Sequence, residues 1–351
     1  MPMRRTHYLA GGLAALVASL GAIPPAHAAT LHTVSPGDSI QQAVDAAAPG
    51  DTVQLLPGTY TGSVEIDRSD ITLRGAGART VLVPAATASG ACATAGHGIC
   101  VHGAAATPLT GVRIASLTVS GFAKNGIDAS GTDGLRVTGV GAHDNGQQGI
   151  SEELSVRSVI TGNDATGNGQ SGVFLANSVA HEGGAIDTGG TVVRANHLAG
   201  NRIGVTVRRL RDLTVDANDI TGNCGGVFVV GDEGVPRAGA LTVSDNHVYE
   251  NNKYCAPNPR LAAIQGTGIL FTGAEDSLVT GNRVEDNRGD SPMSGGVVLF
   301  ASLVGTPNTG ITVTGNLVTG NGPADLADRD TGTGNTFSRN TCRVSEPAGH
   351  C

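Results

Sequence analysis

Residues 213–230 read LTVDANDITGNCGGVFVV, and the fold can be deduced from this stretch. Its apolar residues alternate with polar ones over runs of only three or four positions, which is the periodicity of β-strands. Two asparagines five residues apart, Asn218 and Asn223, separate these runs. The stretch therefore predicts three short strands joined at two tight corners, where asparagine is suitable because it tolerates the left-handed αL conformation.

The same pattern recurs through the second half of the chain. Around most repeats the sequence is V-x-x-N-x-(V/I/L)-x-x-N, followed by Gly-(Val/Ile)-x-(Val/Leu/Phe). Such a repeat predicts an all-β solenoid, in which stacked coils align their amides so that each hydrogen-bonds to the next coil. The seven asparagine pairs are Asn163/Asn168, Asn196/Asn201, Asn218/Asn223, Asn246/Asn251, Asn282/Asn287, Asn316/Asn321 and Asn335/Asn340.

The composition and the two ends of the chain set further limits. The 53 glycines and the absence of tryptophan suit a chain that turns every few residues, and one repeat array needs only one core. The net charge of −8, without a basic run, argues against a nucleic-acid partner. Residues 1–28 resemble a cleaved Sec-type signal peptide, with Arg4 and Arg5 before an apolar stretch and Ala-His-Ala at 26–28. We therefore expect a secreted, extracellular domain at 29–351, without a membrane span and monomeric.

Six cysteines in an exported chain predict disulfides, because no Cys-x-x-Cys spacing favours zinc. Six cysteines allow fifteen pairings. Proximity along the chain favours Cys92–Cys100, Cys224–Cys255 and Cys342–Cys351, the last of which would close a C-terminal disulfide tail at 331–351.

The N-terminal region is the most specific part of the sequence. Residues 39–60 read SIQQAVDAAAPGDTVQLLPGTY and residues 70–77 read DITLRGAG, which predicts a helix at 39–48 and strands at 52–56, 63–66 and 71–73. This N-terminal cap at 32–75, together with the asparagine coils, resembles the pectate-lyase-like right-handed parallel β-helix superfamily. The resemblance implies a single-stranded right-handed parallel β-helix of about ten coils with an N-terminal capping helix. It also implies a substrate groove along one strand of each coil, on a scaffold that hosts lyases, hydrolases, epimerases and non-catalytic proteins.

Coil lengths indicate which strand lines the groove. Insertions follow the second asparagine at 252–266 and 288–294, and follow the Gly-Val-x-Val strand at 177–190, 231–239 and 301–309. Both variable corners flank the Gly-Val-x-Val strand, and insertions on one face of a repeat protein often mark its binding face. Alternation predicts that its core residues are Ile99, Ile127, Ile150, Val173, Val205, Val227, Ile269 and Val297. The predicted outward rows are Cys100, Asp128, Ser151, Phe174, Thr206, Phe228, Leu270 and Val298, and then His102, Ser130, Glu153, Ala176 and Arg208.

A catalytic site is predicted where polar residues of these rows meet. The candidates are His102, Asp128, Glu152, Glu153 and Arg208, with His181, Glu182 and Asp187 of the first long loop above them. Such groups suit abstraction of the C5 proton beside a sugar carboxylate: Glu153 or His102 would be the base, and Arg208 would face that carboxylate. Asp128 and Glu152 would tune the base or hold a cation. Strict alternation, however, points Glu152 inward, which implies either a buried carboxylate or a strand that ends at Ser151. The alternative is a set of solvated residues without a common task.

The metal requirement is open. No cofactor is certain from the sequence. Ca²⁺ enters through the resemblance, because lyases of this superfamily commonly gather acidic residues for calcium on this strand. Such a cluster is not obvious here, which weakens the expectation of a calcium-dependent pectate lyase.

Two further sets of residues could bind a ligand. The apolar stripe of Phe174, Phe228, Leu270 and Val298 is expected to be buried by the loops at 252–266 and 301–309. If open, it would suit a sugar ring or a hydrophobic small molecule. The arginines Arg202, Arg208, Arg209 and Arg211 could hold a substrate carboxylate or sulfate, or could equally pair with Asp212, Asp216 and Asp232.

A second candidate ladder lies between the paired asparagines. It consists of His197, Asp219, His247 and Arg283, with Tyr249, Glu285 and His143 nearby. We expect it to stabilise neighbouring coils, because no variable loop walls this face. The leading functional prediction is an exported carbohydrate-active enzyme that acts on an acidic polysaccharide by β-elimination or epimerisation. The alternatives are a non-catalytic carbohydrate-binding or surface protein and an enzyme for a hydrophobic small molecule.

Overall fold

The computed structural model describes residues 1–3, 28–104, 106–180, 183–258 and 261–351. Almost all of the expected signal peptide at 1–28 lies outside the described residues, and so do His181 and Glu182. Across the described ranges, none of the helices has the length and apolar character needed to cross a membrane.

Helices occur only near the N-terminus of the described chain. Helix α1 (Ile40–Ala46) begins where the Ser39 side chain accepts a hydrogen bond from the Gln42 backbone N–H, and it buries Ile40 and Val44 against the first coils. This helix lies within the range 39–48 for which the sequence predicts one. A 3₁₀-helix (Gly77–Arg79) and helix α2 (Ala91–Ala95) follow within the first coils.

The rest of the described chain forms three long parallel sheets and a short two-stranded pair (Leu109–Thr110 and Thr132–Asp133). Sheet 1 contains Leu31–Val34, Thr52–Leu55, Thr72–Arg74, Arg113–Ala115, Arg136–Thr138, Val159–Thr161, Ile186–Arg194, Leu210–Asp216, Gly239–Ser244, Leu278–Thr280, Thr312–Thr314 and Thr336–Ser338. Sheet 2 contains Gly58–Thr61, Thr80–Val83, Thr118–Ser120, Gly141–His143, Asp164–Thr166, His197–Ala199, Asp219–Thr221, His247–Tyr249, Arg283–Glu285 and Leu317–Thr319. Sheet 3 contains Val64–Ile66, Ile99–His102, Ile127–Ser130, Ile150–Glu153, Ser171–Ala176, Ile203–Arg208, Gly225–Val230, Thr267–Thr272, Gly295–Phe300, Leu326–Arg329 and Ser345–Glu346.

Most coils contribute one strand to each sheet, and the chain is a right-handed parallel β-helix of about ten coils. One continuous apolar core fills its interior, from Val34 in the first strand to Leu326 in the last coils. The core residues predicted for sheet 3, from Ile99 to Val297, are all fully buried. The fold class is therefore confirmed.

Asparagine ladders hold two of the three corners. Between sheets 1 and 2, the Nδ2 of Asn196 donates to Oδ1 of Asn218 at 2.9 Å and to the carbonyl oxygen of Ile160 at 3.0 Å. Between sheets 2 and 3, Asn201 makes the same pair of bonds to Asn223 and Ala165. These side chains are almost completely buried, and each bond connects successive coils, so the predicted amide stacking is confirmed.

Two details of the prediction were wrong. The residue in the αL conformation is the one before the asparagine, as at Ala217 (φ 53°) and Asp245 (φ 53°), so asparagine is needed for its amide and not for its backbone. The last pair also does not occupy the two corners expected for it. Asn340 accepts from Asn316 in the first ladder, whereas Asn335 accepts from Ile311 N at another corner.

The three predicted disulfides, Cys92–Cys100, Cys224–Cys255 and Cys342–Cys351, are all present. No free cysteine remains. The first disulfide joins helix α2 to sheet 3, the second joins the 252–266 loop to the corner before sheet 3, and the third closes the C-terminal tail.

Candidate functional site

The register of sheet 3 places the outward residues as the alternation predicts. Asp128 is paired with Cys100 on one side and Ser151 on the other, and this row continues through Phe174, Thr206, Phe228, Leu270 and Val298. His102 begins the second row, which continues through Ser130, Glu153, Ala176 and Arg208. Residues in one row lie on adjacent coils about 4.8 Å apart.

His102 and Asp128 form a hydrogen-bonded pair at the N-terminal end of these rows. The Nε2 of His102 lies 2.8 Å from Oδ2 of Asp128, and the Nδ2 of Asn125 donates to Oδ1 of Asp128 at 2.6 Å. A carboxylate only accepts hydrogen bonds, so Nε2 of His102 is the donor and Nδ1 holds the lone pair in the neutral ring. The His102 side chain is 42% exposed and Asp128 is 21% exposed, which leaves the imidazole open to a ligand.

Each partner changes the pKa of the other. The hydrogen bond to Asp128 raises the pKa of His102 above its ordinary value, and burial lowers that pKa by less. Burial would raise the pKa of Asp128, but the hydrogen bond from His102, the nearby His97 and the hydrogen bond from Asn125 together lower it. The pair therefore holds a charged carboxylate beside a histidine that gains a proton readily.

His97 and Asn125 complete this cluster, and the sequence analysis missed both. They lie two positions before Ile99 and Ile127, the first core residues of their strands. Strict alternation from these core residues would have pointed both side chains inward, so periodicity gave no signal for either of them.

The metal-ligating potential of the cluster is limited. Within the described residues, one group of side chains lies close enough together to hold a metal ion, namely Cys100, His102 and Asp128. Cys100 is disulfide-bonded and offers no thiolate. Ca²⁺ takes six to eight oxygen ligands, so this set does not fit it.

Glu153 and Arg208 lie in the same outward row but hold a loop. The backbone N–H of Val179 donates to Oε2 of Glu153 at 2.9 Å, and Nη1 of Arg208 donates to the carbonyl oxygen of Ser178 at 3.0 Å. Both side chains thus fix the first residues of the 177–185 connection beside the groove. His181 and Glu182, expected above the site, lie outside the described residues, and Asp187 is in the strand Ile186–Arg194 of sheet 1.

The structure separates Glu152 from the groove. The strand Ile150–Glu153 continues past Ser151, so Glu152 points inward and is 3% exposed. Its Oε1 accepts from Oγ of Ser158 at 2.5 Å, and its Oε2 has no partner among the described residues. Burial raises its pKa to about 7. The expectation that Glu152 tunes the base or holds a cation together with Asp128 is therefore wrong, because the two residues lie on opposite faces of sheet 3.

The apolar stripe is covered, as expected, by the 252–266 loop. Phe228 (2% exposed), Leu270 and Val298 form a second apolar cluster with Ile264 of that loop and Met293 of the 288–294 insertion. The 301–309 loop, all of which is described, contributes nothing to this cluster, and its Leu303 is 77% exposed. Phe228 is therefore covered, and the described residues leave no open pocket over it for a hydrophobic small molecule. Phe174 remains half-buried at the edge of the covered region.

The arginines expected to bind a substrate carboxylate have protein partners. Arg209 is buried and forms an ion pair with Asp232, one of the carboxylates proposed as an alternative partner. Arg211 pairs with Glu275, which the sequence did not indicate. Both arginines thus stabilise the corner after sheet 3.

The second ladder lies on sheet 2 in the predicted order. His197, Asp219, His247 and Arg283 are paired on successive coils. His197 Nδ1 lies 3.4 Å from Asp219 Oδ2, and the ring of His247 stacks on Tyr249 with centroids 4.1 Å apart. These side chains are exposed on a face without inserted loops, which suits the expected role in stabilising neighbouring coils.

Known proteins share this fold. Solved structures that resemble the chain include DFA-IIIase from Arthrobacter chlorophenolicus A6 (TM-score 0.62, 16% identity, covering 91% of this chain and 86% of that one). Others are the A-module of the Azotobacter vinelandii mannuronan C-5 epimerase AlgE6 (TM-score 0.58, 19% identity, covering 88% and 91%) and an alginate lyase from Paenibacillus sp. str. FPU-7 (TM-score 0.58, 17% identity, covering 90% and 99%). At these identities the likeness concerns the fold alone.

Sequence comparison identifies the family. Among curated proteins, no sequence matches the chain. The family described as "Right handed beta helix region" matches residues 86–239 and 176–293, which together span more than half of the chain. The chain belongs to this right-handed β-helix family.

Proposed function

We propose that the protein is an exported carbohydrate-active enzyme in which His102 and Asp128 act as a general acid–base pair. The observation that carries the proposal is the 2.8 Å contact between His102 Nε2 and Asp128 Oδ2 on the exposed face of sheet 3. Asp128 orients the ring and stabilises the imidazolium, while Nδ1 of His102 is the basic atom. The resemblance to an epimerase, an alginate lyase and DFA-IIIase supports a sugar as the ligand.

The reaction proposed is β-elimination or epimerisation of an acidic polysaccharide. His102 removes the C5 proton beside the sugar carboxylate, and the electron pair moves into that carboxylate as an enediolate. In elimination the bond from C4 to the glycosidic oxygen then breaks, C4=C5 forms, and the leaving oxygen takes a proton. In epimerisation a proton returns to C5 from the opposite face. A histidine suits the base because its ordinary pKa lies near the pH at which enzymes work, and the hydrogen bond to Asp128 raises the pKa of His102 from that value.

Hydrolysis of a glycosidic bond is a second candidate. Two carboxylates, those of Asp128 and Glu153, lie in the outward rows of adjacent coils. Arg209 and Arg211, which were expected to bind a sugar carboxylate, instead form ion pairs with Asp232 and Glu275. Glycoside hydrolases generally work with a pair of carboxylates. Hydrolysis does not require a positively charged group beside a sugar carboxylate.

A panel of polyuronides and neutral glycans distinguishes these reactions. Unsaturated products absorb in the ultraviolet, epimerisation in D₂O places deuterium at C5, and hydrolysis releases reducing ends without an unsaturated product. Loss of any such activity in both His102→Gln and Asp128→Asn would support the proposal, with His197→Gln on sheet 2 as the matched control. Binding of a glycan without turnover would instead identify a non-catalytic carbohydrate-binding protein.

Export is part of the same proposal. Three disulfides suit an oxidising compartment. N-terminal sequencing of the protein recovered from outside the cytoplasm should find a mature chain that begins at Ala29 or Thr30. Recovery of the uncleaved chain inside the cell would contradict this.

A further inference from the structure

We infer that His97 is a positioning residue, which together with Asn125 holds the carboxylate of Asp128 in the orientation that His102 requires. This inference rests on the proposed function for its catalytic meaning, but the arrangement itself can be tested without a substrate. No part of the proposed reaction requires His97 to touch the sugar.

Hydrogen bonds fix the backbone of His97. Its N–H donates to the carbonyl oxygen of Cys92 at 3.1 Å, at the end of helix α2, and its carbonyl oxygen accepts from Oγ of Ser63 at 2.6 Å. The Cys92–Cys100 disulfide ties the same helix to sheet 3. His97 is 8% exposed, so its ring has one well-defined environment.

The hydrogen-bond partners of the His97 ring indicate which of its two nitrogens carries the proton. Nδ1 accepts from the backbone N–H of Asn125 at 3.2 Å, which places the proton of the neutral ring on Nε2. That Nε2 faces Oδ2 of Asp128 at 3.8 Å. Asn125, in turn, donates from Nδ2 to the other oxygen of Asp128. One carboxylate is thus bordered by His97, Asn125 and His102.

Burial favours the neutral form of His97. Burial lowers the pKa of His97 more than Asp128 raises it, and the nearby Lys124 and His102 lower it further. His102, by contrast, faces Asp128 and Glu65, and its pKa is raised. The two histidines therefore have different tasks: one stays neutral and directs the carboxylate, and the other takes up the proton.

Histidine-selective ¹⁵N NMR of the intact protein tests this. In the unmodified protein we expect His97 to be a neutral Nε2–H tautomer at pH values where His102 is charged. Titration of His97 at a higher pH than His102, or an Nδ1–H tautomer of neutral His97, would overturn the inference without any mutation. The His102 signals are assigned with His102→Gln, and those of His143 on sheet 2 provide an internal control.

Two substitutions separate positioning from packing. His97→Phe keeps the ring volume but removes both nitrogens, so Asp128 can rotate and the pKa of His102 should fall toward the ordinary histidine value. His97→Gln can accept from Asn125 and donate to Asp128, so it should retain the raised pKa of His102. If activity is found, the Phe variant should lose about tenfold in kcat with KM unchanged. A folded Phe variant with a His102 pKa equal to or above that of the unmodified protein would show that His97 only fills space.

Discussion

His102 and Asp128 lie on adjacent coils of sheet 3, and the helix geometry brings Nε2 of the first to 2.8 Å from Oδ2 of the second. The two residues are 26 positions apart in sequence. Their contact depends on the length of the intervening coil, because a one-residue change would move Asp128 to the opposite face of the strand. The pair is therefore a property of the coil register and not of a local motif.

The pH dependence of activity should report this contact. Asp128 raises the pKa of His102, so the deprotonated base appears only at higher pH than for an ordinary histidine. We expect activity to rise through an acidic limb, and Asp128→Asn to move that limb to lower pH while reducing kcat about 10²- to 10⁴-fold. A limb that stays in place in Asp128→Asn would show that another group titrates. His197→Gln should leave both limb and rate unchanged.

Glu152 should make the protein less stable as the pH rises. The folded state keeps the proton of Glu152 up to about pH 7, whereas the unfolded chain releases it near 4.5, so the free energy of unfolding falls as pH rises through this window. Glu152→Gln removes this loss. The difference in the free energy of unfolding between this variant and the unmodified protein should therefore be about 3 kcal/mol more favourable to the variant at pH 8 than at pH 4.5. Urea unfolding at both pH values measures the difference. As a control, Glu233→Gln in an exposed loop should show the same pH dependence of the free energy of unfolding as the unmodified protein. If the Glu152→Gln variant differed from the unmodified protein by the same amount at both pH values, Glu152 would not hold a buried proton.

Interrupting an asparagine ladder should destabilise several coils. Asn223 receives hydrogen bonds from the backbone and side chain of Asn201, and its own Nδ2 donates to Leu198 O and Asn251 Oδ1. Asn223→Ala leaves these buried partners unsatisfied and should cost about 3–5 kcal/mol. Urea unfolding measures this loss against Gln147→Ala, an exposed amide, which should cost less than about 0.5 kcal/mol. Equal losses in the two variants would refute the structural role of the ladder.

The Cys224–Cys255 disulfide should keep the apolar cluster covered. It spans 31 residues and ties the 252–266 loop over Phe228 and Leu270. Replacing both cysteines by serine should cost about 4 kcal/mol by the loop-entropy estimate and should increase the binding of an apolar fluorescent dye. The matched control, Cys342→Ser/Cys351→Ser, removes a disulfide that closes a shorter loop away from this cluster, and it should not increase dye binding. No gain in dye binding in the first variant would mean that the loop stays in place without its disulfide.

The repeat explains why so much of sheet 3 was predictable. The second asparagine of a pair fixes the corner before sheet 3, as Asn223 does before Gly225–Val230. Alternation then assigns each residue of the following strand to a face, and the rows of Asp128 and His102 follow. The same rule correctly placed Glu152 inside. It had no means to show that its carboxylate would bond to Ser158, because that contact crosses a corner.

The residues that were missed or misassigned depend on loops. His97 lies in the connection after helix α2, where period-two alternation has not begun, and its contacts come from that helix and from Asn125. The partner of Arg211, Glu275, is 64 residues away in sequence, beyond any repeat-based inference. Side chains on irregular segments are positioned by tertiary contacts that periodicity does not encode.

The role of His102 as the base is tested most directly by incubating the mature protein and His102→Gln in D₂O with a panel of polyuronides, and by measuring both unsaturated sugar and deuterium at C5. On at least one polyuronide we expect the unmodified protein either to raise the ultraviolet absorbance or to introduce deuterium at C5, and we expect His102→Gln to abolish that activity, with or without added Ca²⁺. If His102→Gln retained the activity, or if the unmodified protein gave neither an unsaturated product nor deuterium at C5 on any polyuronide, the proposed chemistry at His102 and Asp128 would be contradicted.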